Sequence, residues 1–559
     1  MTTPNAPLDP APDRFPVLTG EQLDRLRRYG TDDTVAAGDV LIRTGQPSYD
    51  FIALTTASAE IYREATTDQP EAVIVEVRPG QFLGELNLLT GQSVYLSTRV
   101  THGGNIIRID PGNFRRLMDE DTLLSDVILT AYLGRRSDLQ SGEGALSVRI
   151  LGSALSRESL ALRTWAARSR IAHSWFDIDT KAGRALAEAA GIPADQLPAV
   201  VLASEVLTQA TPAAVAHALG LTYVPAESGG EVVDVVVVGA GPAGLAAAVY
   251  GASEGLSTVV FDAVGVGGQA GASSRIENYL GFEHGISGAD LTGRAAVQAL
   301  KFGAKINSPC TICSVGRVGA YFELRLTDGA IATTRTVVLA TGARYRKLDL
   351  PRWPDFEGRG IYYAATGVEA RTCATGPVTV IGGANSAGQA ALFLAGGGCP
   401  VTLVVRASNL FLGMSAYLAR RIIADPAITV RLNSEVTALH GDERLEQITV
   451  TSRTDASQHR QQCIGLFCFI GADPKTEWLE GIRTDSAGFI RTDSALGPAL
   501  PADTWTEIGR GPLPFETSEP GIFAIGDVRA GSMKRVAAAV GDGASCIRAV
   551  HEYLGRSAM

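Results

Sequence analysis

The sequence predicts a multidomain chain with an N-terminal β-roll, a small α/β domain and a C-terminal half of two doubly wound α/β units, one inserted in the other. Three observations carry that prediction. Short β-type runs separated by turn residues fill about 15–143. Strand and helix patterns then alternate at small scale over about 147–225. From 231 onward two Gly-rich turns, GAGPAG and GGANSA, each follow a β-branched run and precede a helix. A chain of 559 residues is too long for one hydrophobic core, so several domains are expected.

The first sixteen residues, MTTPNAPLDPAPDRFP, are Pro-rich and lack a basic–apolar leader pattern, so 1–19 reads as a disordered tail. The β-roll spans 20–143, with runs DVLIRTGQ, DFIALTTASAEIYRE, AVIVEVRPGQFLGEL and STRVTHGGNIIRID. Helical apolar spacing is expected to begin only at PGNFRRLMDE. Over 147–225 the segments SVRILGS, SLALRTWAARS, HSWFDID, GRALAEAAG, AVVLAS and TPAAVAHALGL alternate strand with helix. A Gly-Gly linker, Gly229-Gly230, leads into the larger α/β half: 231–346 and 470–559 form one unit, and 347–469 is inserted in it. Hinges are expected at about 344–350 and 468–475, where the insertion joins its host.

A formal charge of −10 argues against nucleic acid or an anionic membrane surface as partner. No apolar run reaches the roughly 18 residues that span a bilayer. The seven cysteines are odd in number and all follow residue 300, which is no secreted disulfide framework and points to a reducing cytoplasm. Only six of the 49 basic residues are lysine, which suggests a GC-rich bacterial genome. No metal-ligand constellation stands out.

The run Val233–Val238 reads as a fully buried strand. Gly239 makes the tight turn after it, Gly241 lets the backbone approach a pyrophosphate, and Gly244 lets the helix pack close on the strand; Pro242 and Ala243 open that helix. The positive helix end faces the phosphates. The next strand, STVVFDA, ends at Asp262, 18 residues after Gly244 and placed for a ribose hydroxyl. Strand, turn, helix and acid in register make a Rossmann-like dinucleotide site far more specific than the bare glycine motif.

After Asp262 comes GVGGQAGASSRIENYLGF, and near the C-terminus GIFAIGDVRAGSMKRVAAAVGDGA. With the first turn, these resemble the thioredoxin reductase branch of the two-dinucleotide-domain flavoenzymes, over 231–559. The resemblance implies FAD. It places Gly268, Gln269 and Asn278 along the ribityl–isoalloxazine part, and adds the Ala340-Thr341-Gly342 turn to the same cofactor site. It gives Gly526 and Asp527 the pyrophosphate and ribityl chain, and sets backbone N–H groups near Arg535, Val536 and Ala537 at the pyrimidine edge. A helix N-terminus there stabilises negative charge on reduced flavin. The resembled enzymes are commonly dimers through the FAD domain, so a homodimer is expected.

The inserted unit carries Gly382, Gly383, Ala384, Asn385, Ser386 and Ala387 at its own turn. Ala384 stands at the middle glycine of the usual pattern and aims a methyl group where a pyrophosphate would come close. The strand VTLVVR ends in Arg406, and a cation there suits a 2′-phosphate, favouring NADPH over NADH. Nicotinamide binding and a domain kept for its shape both remain open on these residues.

In the resembled reductases a redox Cys-x-x-Cys follows a glycine by four residues, just ahead of the second turn. Counting from Gly360, that pair falls at Ala364 and Gly367, and the tetrad reads Ala-Ala-Thr-Gly. Without two thiols no electrons pass to a protein disulfide by exchange. Cys373 has no partner at that spacing and reads as a packing residue. Cys310-Thr311-Ile312-Cys313 begins an extended segment, in which residues three apart point to opposite faces with Cα atoms roughly 10 Å apart, beyond disulfide reach.

The segment PGQFLGELNLLTGQSVYLSTRV resembles the phosphate-binding cassette of cyclic-nucleotide-binding domains, over 20–143. Gly84, Glu85 and Leu86 match its start, and the match makes Glu85 the acceptor for a ribose 2′-OH. Where the cassette supplies an arginine to the cyclic phosphate stand Val94 and Tyr95, and Arg99 comes too late. A cyclic-nucleotide site, and a relic or protein-docking module, are the two readings. Residues 147–225 resemble a thioredoxin or glutaredoxin fold, with Pro198, a candidate for a cis peptide, preceding a strand, and GSALSRES, without cysteine, at the usual active-site turn. The resemblances together imply an FAD-dependent oxidoreductase, NADPH-linked, delivering electrons from flavin to an external acceptor such as a ferredoxin-type protein, a quinone or oxygen. A ligand-gated or scaffold protein in which FAD is structural, with little turnover, and a thioredoxin-disulfide reductase are the alternatives.

Overall fold

The computed structural model describes residues 13–46, 48–65, 70–85, 87–90, 94–141, 146–202, 205–222, 232–273, 275–373, 375–497, 505 and 508–555. The chain divides into two compact units.

The first unit contains a roll of two four-stranded antiparallel sheets. One has the order Thr31–Val35, Gly104–Ile109, Phe51–Leu54, Phe82–Leu83; the other runs Val40–Ile42, Ser97–His102, Ser58–Arg63, Ala72–Val77. Its core is aromatic: the Phe51 ring lies 5.3 Å from Phe82 and 5.2 Å from Phe114, and Tyr132 from the helix Thr122–Ser141 meets Phe82 at 6.2 Å. Two elements precede what the apolar spacing indicates. The helix Gly20–Leu26 is held by a reciprocal capping box in which the Gln22 N–H donates to the Thr19 hydroxyl and the Thr19 N–H to the Gln22 amide oxygen. The strand Thr31–Val35 is mostly exposed, which removes its alternation signal. The expected disordered tail also ends sooner than 19. The Arg135 guanidinium donates to the Arg14 carbonyl at 2.8 Å and stacks 4.3 Å from the Phe15 ring, while Leu18 is buried.

In the same unit a third four-stranded sheet has the order Ser174–Asp177, Arg149–Gly152, Ala199–Val201, Val206–Leu207. The first pair is parallel and the other two are antiparallel. Leu197–Pro198 is a cis peptide immediately before Ala199.

The second unit holds the larger sheets. In the seven-stranded one, Val233–Val238 is buried at every position and lies parallel between Thr258–Phe261 and Ile331–Leu339. Ile522–Ala524 returns from the C-terminal end to pair in parallel with Ile331–Leu339, and Tyr321–Leu326 and Ile312–Val318 extend that side as a hairpin. A five-stranded parallel sheet has the order Ile361–Tyr362, Gly465–Cys468, Val378–Ile381, Val401–Val404, Ile428–Arg431. A three-stranded antiparallel sheet, Ser434–His440, Gln447–Ser452 and Gln458–Gln462, follows it. Between the seven- and five-stranded sheets the chain passes out through Ala343–Tyr345 and back through Ala472–Pro474, which pair antiparallel. Among the described residues no helix is long and apolar enough to cross a membrane.

Candidate active site

The cofactor cradle begins where the buried strand Val233–Val238 stops. Gly239 turns at φ +114, and a Cβ on it would lie 2.3 Å from the Ala340 carbonyl oxygen, so no side chain fits. Gly241 is the N-cap of the helix Pro242–Ser253 and offers no side-chain cap, leaving the first N–H groups of that helix for a ligand. A Cβ on Gly244 would meet the Gly239 carbonyl oxygen at 1.8 Å, the close helix–strand approach that its position predicts. Gly268, at φ +53, faces the Cα of Gly241 so closely that a Cβ would stand 3.0 Å away. The two backbones thus pack against one another with no room for a side chain on Gly268. Gln269 donates its amide N–H to the Ala343 carbonyl, fixing the loop beside the Ala340–Gly342 turn.

Asp262 is more constrained than its ribose assignment suggests. One carboxylate oxygen accepts the Ala240 N–H at 2.8 Å; the other accepts the Val264 and Gly265 N–H groups at 2.8 and 2.7 Å. The carboxylate therefore braces the glycine turn and keeps only part of its acceptor capacity for a hydroxyl. Asn278 is exposed on its loop.

The third side is the C-terminal helix Val536–Tyr553, whose N-cap Arg535 makes no side-chain cap, so its first N–H groups are also open. A Cβ on Gly543 would come within 2.2 Å of the Ala243 carbonyl oxygen, so the two uncapped helices pack backbone to backbone. Gly526, at φ +69, sits against Ala243, and its N–H donates to Asp542 at 3.1 Å. Burial raises the pKa of Asp527, Lys534 opposes that, and Asp542 adds to it. Two uncapped helix ends, backbone approaches that only glycines allow and the acids Asp262 and Asp527 on the adjoining turns fit a dinucleotide with a flavin.

In the five-stranded half, Gly382 turns at φ +139 with its Cβ position 2.2 Å from the Phe469 carbonyl oxygen. Ala384 is the exposed N-cap of the helix Asn385–Gly396 and provides no cap of its own. Asn385 does not face an open slot with its amide: its oxygen accepts the Ser415 N–H at 2.7 Å and its NH2 donates to the Ser415 hydroxyl at 2.9 Å. Ser386 is exposed, and Ala387 is buried beneath the turn. Arg406 is exposed and makes no hydrogen bond or ion pair among the described residues. From the adjoining helix Ala416–Ala424, Arg421 reaches across to both Glu277 oxygens at 2.8 and 2.9 Å, beside Asn278.

At the position of the redox pair, Ala364 and Thr366 are half-buried, and the Thr366 N–H donates to the Glu369 carboxylate at 3.0 Å. This pairing caps the start of the helix Gly367–Cys373. All seven cysteines are free. Burial pushes the thiols of Cys373 and Cys468 up to about 12 and that of Cys463 up to about 11, which holds them as inert thiols. Cys310 is buried and Cys313 exposed, as expected of opposite faces.

In the roll, the Glu85 carboxylate is already paired. Arg136 binds both of its oxygens, Nη2 to Oε2 at 2.6 Å, and also donates to the Arg170 carbonyl at 3.1 Å. The carboxylate to which the cassette resemblance gives the ribose thus keeps only part of its acceptor capacity; its guanidinium partner lies 51 residues away, beyond any local pattern. Tyr95 and Leu96 sink into one core with Val148, Ile150 and Trp165, and Arg99 pairs with Glu60 and Glu71. Leu86 lies outside the described residues.

The family described as pyridine nucleotide-disulphide oxidoreductase matches residues 233–543, more than half of the chain. The chain belongs to that family. The cyclic nucleotide-binding domain family matches 33–121, so this oxidoreductase carries such a domain at its N-terminal side. The thioredoxin reductase of Treponema pallidum is 33% identical over 57% of this chain and 97% of its own length, and that of Streptomyces clavuligerus 32% identical over 58% and 94%. Among solved structures, Lactococcus lactis thioredoxin reductase in its FR conformation is 28% identical, with a TM-score of 0.52 over 58% of this chain and 99% of that one. Family membership and the cradle agree: the chain is a thioredoxin-reductase-like, FAD-dependent NAD(P)H oxidoreductase, with FAD and NADPH the family's cofactors.

Proposed function

We propose that this oxidoreductase accepts reducing equivalents from NADPH and passes them from its flavin straight to an external acceptor, with no disulfide relay. The observation that carries this is Ala364 and Gly367 at the relay positions, with the remaining thiols either buried or, as Cys313, alone on the surface. Bound FAD supplies acceptance of a hydride from the nicotinamide and onward delivery of electrons. The chain's part is to bind and orient. The N–H groups of Gly241 and Ala243 hold the pyrophosphate, Asp262 fixes the turn, and Gly268, Gln269, Asn278 and Ala340–Gly342 line the rest. The start of the C-terminal helix, Arg535–Ala537, stabilises charge on the reduced ring. Gly382, Gly383, Ser386 and Arg406 hold the nicotinamide nucleotide, with Asn385 and Ala387 shaping the turn.

The Arg421–Glu277 pair supports an orientation in which the nucleotide side of the inserted unit rests towards the FAD cradle. Domain limits near 231–346 with 470–559, and 347–469, a homodimer and a cytoplasmic setting belong to the same reading. The sheet order about Arg149–Gly152, with its cis proline, supports a thioredoxin-like module without thiols. The paired Glu85 supports a docking role for the roll rather than nucleotide sensing. Acceptors of the ferredoxin type, quinones and oxygen remain candidates.

The test is anaerobic titration of the purified holoprotein with NADPH and then NADH. Full bleaching of the oxidised-flavin absorbance, with no activity towards thioredoxin, is the expected outcome. A flavin that neither nicotinamide reduces would sink the proposal. It would favour the second reading, a scaffold with structural FAD, for which the Ala384 methyl at the pyrophosphate turn is the motivating feature.

A further inference from the structure

A chain of side-chain contacts joins the Gly382–Ala387 turn to the loop that carries Asn278. It starts at Asn385, whose amide clasps Ser415 through both of its polar atoms, at 2.7 and 2.9 Å. Ser415 is the N-cap of the helix Ala416–Ala424. That helix and the loop before it also pack on the first turns of Asn385–Gly396. A Cβ on Gly388 would stand 2.8 Å from both the Leu418 side chain and the Met414 sulfur. Turn and helix thus form one close-packed block.

From this block the Arg421 guanidinium donates to both Glu277 oxygens, at 2.8 and 2.9 Å. The receiving loop is fixed as well. Ile276 and Ile286 exchange backbone hydrogen bonds at 2.7 and 3.0 Å, and Arg275 donates to the His284 carbonyl at 2.9 Å while its Nε lies 3.5 Å from Glu277. Glu277 directly precedes Asn278.

We propose that Arg421 and Glu277 are positioning residues for hydride transfer: their pair holds the nucleotide turn in register with the flavin loop. The proposal rests on the reading of Gly382–Ala387 as the nicotinamide-nucleotide turn and deepens it.

Geometry gives the physical reason. Hydride transfer needs the reacting atoms about 3–3.5 Å apart, and a misplacement of about 1 Å is costly. The two nucleotide-binding sheets are joined through the ribbon of Ala343–Tyr345 and Ala472–Pro474. A contact away from that ribbon gives their alignment a second fixed point. Arg421 keeps 49% and Glu277 21% of its side-chain surface, so the pair shifts a population a few-fold rather than by orders of magnitude. Neither residue belongs to the nucleotide turn, so the effect falls on rate and spares affinity.

The test compares wild-type holoprotein with Arg421→Met, Glu277→Gln, their double variant and Arg421→Lys, with FAD content checking that the cradle is intact. Anaerobic stopped-flow reduction by NADPH should show a limiting rate roughly threefold to fivefold lower in each single uncharged variant, with an unchanged Kd for NADPH. The double variant should be no slower than the singles, and Arg421→Lys should keep most of the wild-type rate. Hydrogen exchange supplies a readout without turnover: NADP+ should slow exchange over 276–280 in wild type and not in Arg421→Met. A wild-type limiting rate in Arg421→Met, losses that multiply in the double variant, or NADP+ protection of 276–280 that survives Arg421→Met overturns the proposal and leaves the nucleotide reading intact. A loss confined to Kd would make Arg421 a nucleotide contact and overturns it too. If neither nicotinamide reduces the wild-type flavin and NADP+ changes exchange nowhere, the nucleotide reading fails and the proposal with it.

Discussion

Replacing Arg136 by methionine tests whether the N-terminal roll is a structural joint or a ligand site. Arg136 is only 1% exposed, and its Glu85 partner keeps 13% of its side-chain surface. Breaking a buried pair by removing one member costs about 3–5 kcal/mol, because the other charge is left uncompensated. Partial access of water to Glu85 puts the expected value at the low end, about 3 kcal/mol. The Arg170 carbonyl also loses its donor at 3.1 Å, worth about 1 kcal/mol. Arg136→Met should therefore destabilise the first unit by about 3–4 kcal/mol, whereas Glu85→Leu with Arg136→Met should recover most of that, since neither charge then remains. Global melting is a poor readout for a chain of several cooperative parts. Hydrogen exchange in the strands Phe51–Leu54 and Gly104–Ile109 reports the local value. A single variant within about 1 kcal/mol of wild type, or a double variant as unstable as the single one, would refute the joint. The same pairing predicts that cyclic AMP or GMP leaves NADPH oxidation unchanged; a measurable effect of either contradicts it.

Native titration with an aromatic disulfide should modify one thiol quickly, that of Cys313, with the rest reacting only after unfolding; a fast pair would revive disulfide chemistry. Ala384→Gly removes the methyl from the pyrophosphate turn and places a better residue at the N-cap; stopped-flow flavin reduction should show tighter NADPH with an unchanged limiting rate, and weaker binding would count against nicotinamide at this turn. Arg406→Gln should raise the KM for NADPH roughly tenfold or more, the scale of one charged contact, while leaving NADH unaffected. Equal losses for both nucleotides would remove Arg406 from the 2′-phosphate.

The parts of the cradle that the sequence discloses are those with local causes. Gly239 and Gly244 announce themselves because their roles are steric and lie within one strand–turn–helix unit. The buried strand before them is legible from an unbroken run of valines. The helix Gly20–Leu26 was also readable, through Thr19 and Gln22 at capping-box spacing, although apolar periodicity alone misses so short an element. What escapes is pairing across the chain. Glu85 with Arg136, Asn385 with Ser415, and Glu277 with Arg421 join residues that no window compares. Each changes a role: Glu85 becomes half of an ion pair, and Asn385 becomes the clasp of a loop. Asp262 shows the same on a short scale, where the spacing finds the acid and only the fold reveals its three backbone donors.

The antiparallel ribbon of Ala343–Tyr345 and Ala472–Pro474 has a consequence for how such a chain can be assembled. Its two strands are hydrogen-bonded neighbours, so the long excursion between them starts and ends at nearly one point. The closure entropy of that excursion is met by three residue pairs at its base, whatever lies beyond them. The intervening length can therefore be lengthened, trimmed or exchanged by recombination without re-registering the host sheet, in the way domain insertions are tolerated at adjacent surface ends. A chimera that swaps 346–471 for the corresponding segment of a relative with a Cys-x-x-Cys at that place should therefore leave the host strands in register.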